Sequence, residues 1–137
     1  MDELQTAPAV AIAGCCCFLV ALAVPYFVVE TGSAVGAYYG AGVLSPAVPA
    51  VLAAVGIIVF AAGREGRTDP GLAAGAGIVL GLFVVGLSLA WAATVPTSLV
   101  LGLTESTLME HHRWAVVAAA LPVPLGGAWF ARALGLF

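Results

Sequence analysis

The chain has 137 residues, of which 63% are hydrophobic and only 8% charged, with seven acidic and four basic side chains and a net charge of −3. A soluble domain carries about 25% charged residues, so this composition excludes a chain that covers its own surface in water. The acidic balance excludes a nucleic-acid binder, and the length allows one membrane domain without a separate soluble module.

Four apolar runs follow in order, roughly 7–29, 45–63, 72–95 and 112–134. Each holds about 19 to 24 residues, and about 20 residues at 1.5 Å rise cross a hydrocarbon core of about 30 Å. Lipid offers the backbone no hydrogen-bond partner, so such runs must be helices or strands of a closed barrel. Barrel strands alternate apolar and polar residues, whereas Val79-Leu80-Gly81-Leu82-Phe83-Val84-Val85 is apolar on every side. The expected fold is all-α, a single membrane bundle of four transmembrane helices.

The first run begins after an acidic Met1-Asp2-Glu3 and holds three adjacent cysteines, Cys15, Cys16 and Cys17. A cleaved or lipid-modified signal needs a basic start and a full apolar stretch before its cysteine, so the run reads as a retained helix. The three thiols point about 100° apart on a helix. They cannot converge on one metal and lack the C-x-x-C spacing of a redox pair, so they read as soft packing residues. Glu30 ends the run at the membrane interface, and Pro25 lies near its end. The loop that follows carries Tyr38 and Tyr39, which read as interfacial anchors.

Ser45-Pro46 and Asp69-Pro70 each set a capping side chain before a proline at the first helical position, opening the second and third spans. Gly71-x-x-x-Gly75 and Gly77-x-x-x-Gly81 run through the third, with Gly86 beyond. Small residues four apart let helix backbones approach where van der Waals contact is the main adhesive, so these four glycines are the candidate packing positions and the third helix the expected packing centre. Pro96 closes that span, and the stretch from Leu99 to Leu103 is expected to lie on the bilayer surface.

Thr107 and Glu110 fit a capping box that starts the fourth helix. Pro122 and Pro124 fall inside it, where a missing donor and a ring clash predict a kink. The segment Glu105 to Arg113 is the densest polar cluster. Glu105, Glu110, His111 and His112 are the candidate ligands for zinc, copper or haem, since imidazole and carboxylate suit such metals. Adjacent histidines diverge on a helix, however, and Glu110 is placed to cap and to pair with Arg113 at i, i+3. A solvated helix start at the membrane surface is the plainer reading, and no cofactor is expected.

Orientation follows from the arginines, there being no lysine. Arg64, Arg67 and Arg132 lie on one side and Arg113 on the other, so the positive-inside rule puts both termini in the cytoplasm. Trp91 and Trp114 are expected near the outer interface and Trp129 near the inner one. No ionisable residue falls near mid-membrane, where proton-coupled pumps and ion exporters need one.

Asp2-Glu3-Leu4, Gly36-Ala37-Tyr38-Tyr39-Gly40, Phe60 through Arg67, and His112-Arg113-Trp114 together resemble the small uncharacterised four-span membrane proteins of halophilic archaea. The resemblance spans the whole chain and implies fold and setting, and no activity. The expected role is a non-enzymatic cell-membrane component, an accessory subunit or scaffold acting through helix packing, with the lipid bilayer and either a homo-oligomer or a membrane partner protein around it. A small-solute transporter or channel is the alternative, and a metal- or haem-binding protein a third.

Overall fold

The computed structural model describes residues 2–24, 47–94 and 107–136, with the side chains of 107–111 and 113 left aside. Five helices follow in order: α1 Glu3–Ala23, α2 Ala47–Arg64, α3 Pro70–Thr94, α4 Thr107–Ala120 and α5 Pro122–Ala133. The stretches Glu3–Ala23, Ala47–Arg64, Pro70–Thr94 and Trp114–Ala133 are each long and apolar enough to cross a membrane, and no strand occurs among the described residues. The fold is an all-α, multi-pass membrane bundle.

Local chemistry sets the helix ends. α1 begins four residues before the expected span, because the Asp2 carboxylate accepts the Gln5 N–H at 3.2 Å and caps the first turn. α3 starts at Pro70, whose missing N–H is no loss in a first turn, while the Asp69 carboxylate accepts from Leu72 N–H at 3.1 Å. α2 stops where Gly66 takes φ +73°, a left-handed conformation that lacks a steric penalty only for glycine, and Arg67 N–H closes back on Ala62 O at 2.9 Å. Gly135, at φ +80°, ends α5 in the same way. The Ser45-Pro46 cap lies outside the described residues.

The regular hydrogen bonding of the fourth span is interrupted for one turn at Leu121. Pro122 cannot donate to Ala118 O, and Leu121 N–H bonds to that carbonyl instead at 3.3 Å, a tighter turn that separates α4 from α5. Leu121 itself keeps helical backbone angles, φ −57° and ψ −40°, and Leu125 N–H reaches Leu121 O at 3.4 Å, so Trp114–Ala133 runs on as one span with its hydrogen bonding altered at a single turn. Its two prolines meet glycines on the flanking helices. A Cβ at Gly14 of α1 would lie 2.9 Å from Pro122 Cβ, and one at Gly81 of α3 would lie 2.6 Å from Pro124 N.

The spans form a ring in which α1 packs on α2 and on α4/α5, and α3 does the same from the opposite corner. The third span is thus one of two equivalent neighbours, and the expectation of a single packing centre is corrected. Buried positions repeat at alternating steps of three and four: Pro49, Ala53, Gly56, Phe60 and Gly63 on α2, and Gly77, Gly81, Val84, Ser88 and Trp91 on α3. That spacing is the seam of a left-handed bundle. Small residues dominate the seam, while Val51, Ile58, Leu72, Leu82, Phe83 and Leu125 point outward. Such an outer surface suits lipid, and the small inner residues bring the backbones close.

Candidate functional site

Two ends of the bundle differ in chemistry. The end that carries both chain termini is here the terminal end, and its opposite the distal end. From the midplane to the terminal end, the interior is made of glycine notches. Phe60 of α2 sits against Gly77 of α3 and Gly127 of α5, and Phe130 of α5 lies against Gly63 of α2. Both rings are fully buried, and they join the diagonal pair across the bundle axis. Gly126 brings α5 onto the backbone of Ala11, where an added Cβ would meet Ala11 N at 2.9 Å.

The distal half holds the buried polar groups. Ser88 lies on α3 two turns beyond Gly81, on the same face, and is 0% exposed. Its Oγ has no hydrogen-bond partner among the described residues. One turn further, Trp91 is also 0% exposed. It belongs to the interior rather than to an aromatic belt, a correction that follows from its place on the seam. Trp114 and Trp129 are outward-facing. Thr94, at the end of α3, turns its hydroxyl back to donate to Ala90 O at 2.7 Å.

His112 opens the fourth span and is 3% exposed. Its Nε2 meets Ala21 O of α1 at 2.5 Å. A carbonyl only accepts, so Nε2 carries the hydrogen of this contact. The contact has a cause in the sequence. Ala21 O would ordinarily take the N–H of residue 25, which is Pro25 and has none. The imidazole supplies that donor from another helix and so ties α1 to α4. This corrects the solvated-helix-start reading for His112: its ring is interior and committed to a backbone partner.

The remaining sequence candidates fall as follows. Gly77 and Gly81 are buried contact points, against Phe60 and the Pro124 backbone. Gly75 is exposed with open space around it, and Gly71 makes only ordinary contacts, with Asp69 and Leu136. Cys15 is buried facing Gly56, and Cys16 and Cys17 are exposed on the lipid side of α1. Glu30, Tyr38, Tyr39, the 99–103 stretch and Glu105 lie outside the described residues, as do the side chains of Glu110, His111 and Arg113. Among the described residues no three His, Cys, Asp or Glu side chains come together as a metal site.

Residues 1–135 of the 137 match the model of a family of unknown function, DUF7548. The chain belongs to that family. No curated protein and no solved structure matches it.

Two groups escaped the sequence reading. Asp2 and Gln5, an N-cap and a third-position glutamine, carry the capping-box spacing and so were detectable. Ser88 had no such signal, because its meaning depends on which face of α3 turns inward.

Proposed function

We propose that this protein is a non-enzymatic component of the cell membrane, an accessory subunit or scaffold that acts through helix packing. The observation that carries the reading is the contrast between an interior closed by glycine notches and an outer surface of large apolar side chains. A wall of small residues brought to backbone contact holds a rigid shape, and the described interior offers no paired acid and base for chemistry. Both termini face the cytoplasm, with Arg64, Arg67 and Arg132 against Arg113 as the support. A halophilic archaeal source is supported by the absence of lysine and the heavy use of Ala, Gly and Val.

Purification in mild detergent tests the role. The reading expects a defined homo-oligomer or a stoichiometric membrane partner, and a solitary monomer at every detergent tried counts against it. Reporter fusions at the C-terminus test the orientation, and activity of an externally folding reporter there would reverse it.

A second reading, a transporter or channel for a small neutral solute, draws on the buried Ser88 hydroxyl, which has no hydrogen-bond partner among the described residues. It predicts solute flux in proteoliposomes that Ser88→Ala abolishes, and no flux across a broad panel of neutral solutes removes it.

A further inference from the structure

The terminal end holds a cavity of about 260 Å³ in which all four spans take part. Asp2, Gln5 and Arg64 line its polar side, and Gly63, Phe130 and Leu134 its apolar side. Its two opposite charges are fixed on one residue's backbone. The Asp2 carboxylate accepts the Gln5 N–H at 3.2 Å, and the Arg64 Nε–H donates to the Gln5 carbonyl at 3.0 Å. Arg67, in the adjoining turn, pairs locally with Glu65 at 2.9 Å on the surface. Arg64 instead crosses from the end of α2 to the first turn of α1, which sets the plane of its guanidinium at the cavity wall.

A carboxylate and a guanidinium in one cavity select by charge. A purely anionic ligand meets Asp2, a purely cationic one meets Arg64, and an apolar one strips water from both at a cost. A zwitterion satisfies both, its ammonium toward the carboxylate and its acidic oxygens toward the guanidinium, as charge-assisted hydrogen bonds require. The cavity lies at the ends of four membrane spans, in the layer that lipid headgroups occupy, and Leu4 on its wall is exposed beside it. We propose that this cavity binds the zwitterionic headgroup of a phospholipid, a phosphodiester carrying a primary ammonium. The scaffold reading is not needed for this, since a protein without any partner would still hold the lipid.

Native mass spectrometry of the full chain in mild detergent tests the site, with phosphatidylethanolamine, phosphatidylglycerol and phosphatidylcholine of matched chains as probes. Soluble phosphoethanolamine serves as the chain-free control. Phosphatidylethanolamine adducts should exceed the other two, the quaternary ammonium of phosphatidylcholine having no N–H to give. Arg64→Gln should lower them about tenfold, as loss of a charge-assisted bond does, and Arg67→Gln should leave them unchanged. Asp2→Asn is the more telling variant, because Asn caps a helix as well as Asp and so removes the charge without the cap. It should shift the preference to phosphatidylglycerol. Equal adducts for the three lipids, or an unchanged preference in Asp2→Asn, would overturn the proposal. Soluble phosphoethanolamine binding as tightly as the lipid would overturn the lipid as its source.

Discussion

The two halves of the bundle reach a closed interior by different means. In the terminal half, Gly14, Gly56, Gly63, Gly77, Gly81, Gly126 and Gly127 are all buried; Phe60 and Phe130 fill the notches at Gly63, Gly77 and Gly127, and Pro122, Cys15, Pro124 and Ala11 meet the other four. In the distal half, the described part has no buried glycine, and its interior holds Ser88, Trp91 and His112. The tightened turn at Leu121 lies where one regime gives way to the other. Backbone-to-backbone contact admits one geometry, because nothing at Gly81 or Gly126 can rotate aside. A buried hydroxyl and an imidazole on a carbonyl can exchange partners. The terminal half is therefore the fixed base of the fold, and the distal half the part able to respond to a ligand or neighbour.

The comparison can be broken most severely at Phe60. Phe60→Ala empties the notch between Gly77 and Gly127, and such truncations cost about 3–5 kcal/mol. Unfolding in detergent should show the loss, with the whole bundle affected. His112→Phe should act locally and less strongly. It leaves Ala21 O without its donor, a loss of about 1–3 kcal/mol for a buried group. Hydrogen exchange should rise at the distal end of α1 and stay unchanged around Gly77. Ser88→Ala is expected to be smallest. Removing an unpartnered buried hydroxyl should leave stability unchanged or raise it by up to about 1 kcal/mol, and a clear drop in melting temperature would mean that the hydroxyl has a partner.

Much of the fold was legible in the sequence, because lipid tolerates only continuous apolar helices and leaves the ionisable residues to the ends. The Asp69-Pro70 start of α3 and the interruption at Pro122 were legible as well, since both depend on a missing N–H. Inward and outward faces were harder to read. In a helix that is apolar all round, hydrophobicity does not mark the buried side. The third helix shows the consequence. Gly75 and Gly77 are two residues, about 200°, apart by helix geometry, so the two glycine motifs lie on opposite faces and only one can meet the bundle. Trp91 and His112 were hidden for a related reason: both sit near the span ends, where either exposure or burial is possible, and only the packing of the helices decides it.

The central claim, that glycine contacts fix the terminal half, is tested most directly by comparing Gly81→Ala with Gly75→Ala in one detergent unfolding assay. At Gly81 the new Cβ would press on the Pro124 backbone, which cannot give way like a side chain, and overpacking should cost about 1–3 kcal/mol. At Gly75 nothing lies within 4 Å, and alanine should stabilise the helix by up to about 1 kcal/mol. Opposite signs for the two substitutions are the predicted result. Two stabilising substitutions of similar size would contradict it.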